Sequence, residues 1–214
     1  MAIGCKLPDS LTGKNASNSG TPSNSSGPSK SGSTSPVTAS SDPKADIVAA
    51  SKKFIDLPSF TAKMNGTGTA DFQTTVEYIA PDRYHITQGG NKMETIIVGK
   101  DTYMNTGGTW RKFPVDVGSM IPNLREFYTE EGLKMLSNDK YVSEETLDGK
   151  AALVYTFTNT STKIKTPFTS KMWISKDTGL PMKAVIDYTG MDLKQMVIVY
   201  DTETPVRIEA PVTK

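Results

Sequence analysis

The stretch that most constrains this chain is its C-terminal third, Thr169 to Pro211, where apolar residues recur every second position over short runs and turn residues separate the runs. Ser170–Ser175 puts Met172 and Ile174 on one face and Lys171 and Trp173 on the other. Asp177-Thr178-Gly179 supplies a tight turn, with Gly179 free to take the positive φ that other residues resist. Pro181–Tyr188 places Met182, Ala184, Ile186 and Tyr188 on one side and Lys183 and Asp187 on the other. Leu193–Tyr200 is apolar on both faces apart from Lys194 and Gln195, so it is expected to sit deep. A period of two over turn-bounded runs predicts an antiparallel meander with one wet and one apolar face.

The same pattern extends upstream. Alternation predicts strands over Phe60–Thr67, Asp71–Ile79, Arg83–Thr87, Lys92–Val98, Thr102–Met104, Thr109–Phe113, Tyr141–Glu145 and Ala151–Asn159. The breaks between them fall at Gly66-Thr67-Gly68, Ala80-Pro81-Asp82, Gly89-Gly90-Asn91 and Asp148-Gly149-Lys150. The period changes in two places. Lys44 to Leu57 carries Ile47, Val48, Ser51, Phe54 and Ile55 at helical spacing, with Asp42 as N-cap, Pro43 in the first position and Pro58 as stop. Ser119 to Asn138 carries Met120, Leu124, Phe127, Tyr128, Leu133 and Leu136 and predicts one or two amphipathic helices, broken near Gly132. That insert reads either as a lid over the apolar face or as a plain core-packing helix.

Lys6 to Pro43 is Ser, Gly, Asn, Thr and Pro with almost nothing apolar, so it cannot offset the entropy of ordering and reads as a flexible tether. A coil of about 38 residues reaches roughly 30–35 Å. Ahead of it, Ala2-Ile3-Gly4-Cys5 resembles the end of a bacterial lipobox, in which the cysteine becomes the lipid-modified N-terminus. The alternative is an incidental cysteine; the tether directly after it favours the anchor. The expected organisation is a lipoprotein N-terminus and tether over residues 1–43 and one folded domain over 44–214.

Composition removes several functions. The charges nearly cancel, at a formal +1, and supply no basic stripe for nucleic acid. One cysteine, Cys5, and one histidine, His85, exclude an intramolecular disulfide and the usual cysteine or histidine metal clusters. Alternation turns His85 towards solvent as an ordinary surface residue. No nucleophile elbow, zinc-protease helix or phosphate loop is present, and a lone outward histidine does not support serine chemistry. Glu130-Glu131 reads as a helix-start pair. No enzyme, cofactor or metal is expected. Ten methionines are many for this length, and Met64, Met120, Met135, Met172, Met182 and Met196 would give an adaptable lining or ordinary core filling.

The order of parts is itself informative. A helix leads to Ala80-Pro81-Asp82-Arg83-Tyr84; a strand-turn-strand with Gly99 and Tyr103 precedes mid-chain helices. Asp148-Gly149-Lys150 opens a Tyr-bearing strand, followed by Trp173-Ile174, Asp177-Thr178-Gly179-Leu180-Pro181, Tyr200-Asp201 and Pro205-Val206-Arg207-Ile208. Over residues 44–211 this resembles the LolA/LolB-like lipoprotein carrier superfamily, in particular its lipid-anchored LppX/LprG branch. The resemblance implies an α+β, mostly β fold: a curved, unclosed antiparallel half-barrel of about 10–11 strands with helices in its concave mouth. It also implies an apolar cavity for acyl chains or lipidated proteins, and no catalytic residue.

The physical reading agrees, because a sheet with one apolar face and few helices to cover it needs something to fill it. Burying methylenes gains about 0.8 kcal/mol each, up to roughly 10 kcal/mol for a long chain before the cost of association. The expected lining is Met64, Val76, Tyr78, Tyr84, Ile86, Met120, Leu124, Phe127, Leu153, Tyr155, Met172, Ile174, Met182 and Ile186, with lipid attached at Cys5. The chain then reads as a monomeric envelope lipoprotein, held to a membrane on its extracytoplasmic side, that binds a lipid or other amphiphile for transport between membranes or envelope layers. A second reading is an envelope sensor or assembly protein that binds another protein, its groove shut by Trp110, Leu124 and Phe127. A third is a surface domain with no pocket.

Overall fold

The computed structural model describes residues 35–69, 71–89, 93–114, 129–160 and 166–213, with residues 130 and 131 described by backbone alone. Helix α1 spans Pro43–Ile55. Its start is specified locally: the Asp42 carboxylate accepts the Ala45 N–H at 3.1 Å, and Pro43 occupies a position whose N–H has no helical partner anyway. Six strands follow: β1 (Ser59–Gly68), β2 (Phe72–Ile79), β3 (Arg83–Gln88), β4 (Met93–Val98), β5 (Asp101–Thr106) and β6 (Thr109–Phe113). Helix α2 (Glu130–Lys134) precedes β7 (Ser137–Leu147), β8 (Lys150–Asn159), β9 (Phe168–Ser175), β10 (Pro181–Tyr188) and β11 (Leu193–Asp201).

All eleven strands form one antiparallel sheet in the order β6-β5-β4-β3-β2-β1-β11-β10-β9-β8-β7. Two meanders, β1–β6 and β7–β11, are thus welded by pairing of the first strand with the last, Ala62 opposite Tyr200 and Met64 opposite Ile198. The sheet does not close: β6 and β7 are its two edges. The expected half-barrel is what forms.

The concave face carries the core. Phe60, Ala62 and Tyr78 share it with Leu153, Tyr155 and Phe157 of β8, Met172 and Ile174 of β9, Ala184 and Ile186 of β10, and Met196, Ile198 and Tyr200 of β11. Helix α1 lays Ile47, Ala50 and Phe54 onto this surface. Ile47 and Phe54 are 1% and 0% exposed, so each contributes about 1.5–3 kcal/mol of burial. The rings run in series, Phe54 to Phe60 at 4.7 Å between centroids, Phe60 to Tyr78 at 5.1 Å and Tyr78 to Tyr84 at 5.1 Å, in tilted contacts that aromatic quadrupoles favour. A cation-free anchor ties helix to sheet: the Tyr155 hydroxyl donates to Asp46 Oδ2 at 2.8 Å.

Several expectations are corrected. The convex face is not uniformly wet: Ala152, Val154 and Trp173 form a second small core there with Leu147, Met182 and Val185. The Trp173 indole N–H donates to Glu145 at 2.7 Å, and the ammonium groups of Lys171 and Lys183 lie 4.5 and 5.0 Å from the Trp173 ring. Strand β11 is not deep on both sides, since Val199 is exposed on the convex face. Ser137 and Asn138, read as the end of a helix, open β7. Residues within the expected tether also join the domain: the Val37 N–H donates to the Lys176 carbonyl at 2.6 Å, and Val37 and Ala39 pack against the core. Among the described residues no helix is long and apolar enough to cross a membrane.

Candidate functional site

The concave face narrows to a cleft between α1, α2 and the β8–β11 end of the sheet. Ile47 and Ser51 of α1 form one wall. Phe157 and Asn159 of β8, Phe168, Ser170 and Met172 of β9, Ala184 and Ile186 of β10, and Ile198 and Tyr200 of β11 form the floor. Leu133 of α2 and Leu136, just before β7, close the remaining side. Each is 5% exposed. No charged residue is among the described residues lining the cleft. The open space inside is about 30 Å³, enough for about two water molecules and far short of an acyl chain.

Helix α2 is a short closure. It has five residues, fewer than an isolated helix needs for stability in water. The Thr129 hydroxyl accepts the Gly132 N–H at 3.4 Å, and on the far side the Lys44 ammonium donates to the Leu136 carbonyl at 3.1 Å. A long cap bond, one cation and two leucines are among the contacts that hold the segment.

A roomier hollow of about 370 Å³ opens at the convex side, where Lys63, Lys150, Met182, Val199, Asp201 and Glu203 are among its walls. The Lys150–Glu203 ion pair at 2.7 Å stands in that wall. Its charges suit solvent better than an apolar chain, so the uncharged cleft is the stronger site for an amphiphile.

The expected lining separates into groups. Met172 and Ile186 line the cleft. Leu153, Tyr155 and Ile174 face a separate gap of about 60 Å³ under α1, beside Val37 and Asp46. Tyr78 is fully buried in the ring series, and Met64 and Tyr84 pack on its margin. Val76 and Ile86 are paired and buried on the β2–β3 half, away from the residues of the cleft. Met182 is a correction. Pairing with β9 slips between Pro181 and Lys183, and the extra residue turns Met182 to the convex core and its hollow. Cys5, Met120, Leu124 and Phe127 lie outside the described residues. Met196 is buried in the concave core, whereas Met135 is exposed at the end of α2. Trp110 stands opposite Asn105, on the register row that runs through Glu94, Thr87, Thr75 and Lys63 on the convex side, so it does not close the cleft.

Among the cleft residues that sequence reasoning missed are Ile47, Ser51, Asn159, Phe168, Ser170 and Tyr200. Asn159 carried a usable signal, being the next inward position after Leu153, Tyr155 and Phe157. His85 lies on the outward face that alternation assigns it, but with carboxylate neighbours the sequence did not show. It is half-buried on the convex face, its Nδ1 2.7 Å from Glu77 Oε2 and its Nε2 3.7 Å from Glu94 Oε2.

Burial weakens the acidity of two tyrosines on the concave side. Tyr188 is pushed up to about 12 by burial. Tyr155 is raised further, first by burial and then by its bond to Asp46. Both stay neutral near physiological pH and offer a hydroxyl rather than a charge.

An unclosed antiparallel half-barrel with a helix against its concave side is the fold of the solved structures of LppX and LprF. Two solved structures carry the comparison. The lipoprotein LppX of Mycobacterium tuberculosis is 15% identical, with 78% of this chain and 98% of that one covered at a TM-score of 0.60. LprF from Mycobacterium bovis is 14% identical, with 83% and 99% covered at 0.61. No family model matches the sequence, and no curated protein matches it by sequence.

Proposed function

We propose that this protein is a cell-envelope lipoprotein, anchored through Cys5, that takes a lipid or other amphiphile onto its concave face and moves it between membranes or envelope layers. The observation that carries the reading is the closure of an uncharged cleft by the five-residue α2 and two leucines. An apolar floor of this kind gains about 0.8 kcal/mol for each methylene that replaces water against it. Leu133 and Leu136 are then place-holders, occupying the cleft when cargo does not. The protein acts by binding rather than catalysis. Its one histidine lies on the convex face with Nδ1 against the Glu77 carboxylate, and the cleft offers no base beside a nucleophile among the described residues.

Native mass spectrometry of the protein purified from a bacterial host tests the proposal. Bound acyl mass, lost on delipidation and regained on adding lipid, is the expected result. A clean protein mass with no uptake refutes it. The small open space of about 30 Å³ favours a second reading, an envelope sensor or assembly protein that binds another protein and fills its groove with its own side chains. The uptake measurement separates the two, because that reading requires none.

A further inference from the structure

We infer that the guest of the concave cleft is a neutral amphiphile with a hydroxyl or amide N–H beside its chain, and that Asn159 is the residue that receives this donor. The inference rests on the binding reading above and specifies its cargo. Asn159 is the last residue of β8, and the alternation Leu153, Tyr155, Phe157, Asn159 sets it on the concave face. It is 4% exposed and lines the cleft beside Phe157, Phe168 and Leu136. Its Oδ1 is shielded from solvent and has no hydrogen-bond partner. A buried amide carbonyl left unpaired costs free energy that a leucine of similar size would not, so the closed cleft is the less satisfied state of this residue. A guest that presents a donor there removes the deficit.

The surroundings narrow the class. No charged residue lines the cleft among those described, so an ionised headgroup drawn inside would meet no opposite charge on those walls. Ser170, 3% exposed on the adjoining strand and the same face, adds a second small polar group close to the first. Beyond these two the floor is largely apolar, with Met172, Ile186 and Ile198 suited to methylenes. A chain linked to glycerol, or an N-acyl amide, has this order of groups.

The test is calorimetric titration of the delipidated full chain with three probes of one chain length at sub-micellar concentration: 1-monooleoylglycerol, methyl oleate and oleate. The glycerol ester is expected to bind about tenfold more tightly than the methyl ester, the effect of one net hydrogen bond, with oleate weakest. In Asn159→Leu the first two become equal, and methyl oleate binds at least as tightly as to the parent. Equal affinities in the parent protein, or a glycerol preference that survives Asn159→Leu, overturn the assignment while leaving the carrier reading intact. Failure of all three probes to bind overturns the carrier reading and this inference with it. The comparison within the parent protein needs no variant, so a poorly folding Asn159→Leu does not blunt the test.

Discussion

Replacing Leu133 by alanine separates a place-holder from an ordinary core residue, because the two roles give opposite signs for binding. Leu133 is 5% exposed, packs in the main core and lines the cleft. Leu133→Ala removes three carbons, about 2.4 kcal/mol of transfer free energy at about 0.8 kcal/mol each, and core truncations of this kind cost about 2–5 kcal/mol once the void is included. The delipidated variant should lose that stability in urea denaturation. If Leu133 leaves its site when cargo enters, the same contacts oppose binding in the parent protein and are already absent in the variant. Affinity for 1-monooleoylglycerol should then rise by up to the same 2.4 kcal/mol, or about 50-fold. Calorimetric titration beside the urea curves reads both quantities. A variant whose affinity falls with its stability, or stays unchanged, shows that Leu133 keeps its place in the complex and that α2 is not the closure that cargo displaces.

Three further outcomes follow from the packing. The Trp173 indole N–H and the Lys171 ammonium hold the Glu145 carboxyl below its ordinary value of 4.5, so its contribution is present above that value and is lost as pH falls through the lowered one. The difference in urea midpoint between the parent protein and Glu145→Gln should therefore shrink on acidification from neutral pH, and a constant difference would contradict the assignment. Burial raises Tyr188 from 10.0 to about 12, so folded stability should decline as pH climbs through that window while the unfolded chain ionises. Tyr188→Phe, which keeps the ring contact with Phe168 at 5.5 Å, should lack that part of the decline in alkaline denaturation curves. Gly68 sits where β1 slips against β11, and a Cβ there would run into the Asp192 carbonyl. Gly68→Ala should cost about 1–3 kcal/mol by overpacking, and a chemical-denaturation midpoint equal to that of the parent would show that the bulge can shift to make room.

Most strand positions were legible because alternation is a local property. Phe60 and Ala62, Leu153 to Phe157, and Met172 with Ile174 point inward as their spacing requires. The start of α1 was legible for the same reason, since Asp42 and Pro43 act within one turn. Met182 was misread because a single extra residue at the Pro181–Lys183 slip reverses its face, and a slip depends on the partner strand rather than on the run itself. Trp173 looked like an outward residue on a wet face. Only the meeting of β7, β8, β9 and β10 supplies the Glu145 acceptor, the flanking lysines and the apolar neighbours that half-enclose that face.

The sequence by itself determined that a one-sided antiparallel sheet would form, with an apolar helix in front of it, because periodicity and capping act over a few neighbouring residues. Tertiary structure alone decided that β1 pairs with β11, that Leu133 and Leu136 close the cleft, and that the Asn159 Oδ1 is shut in without a partner. Those outcomes join residues far apart in the chain. Which of them meet is fixed by the competition to bury one apolar surface, a quantity that no local stretch contains.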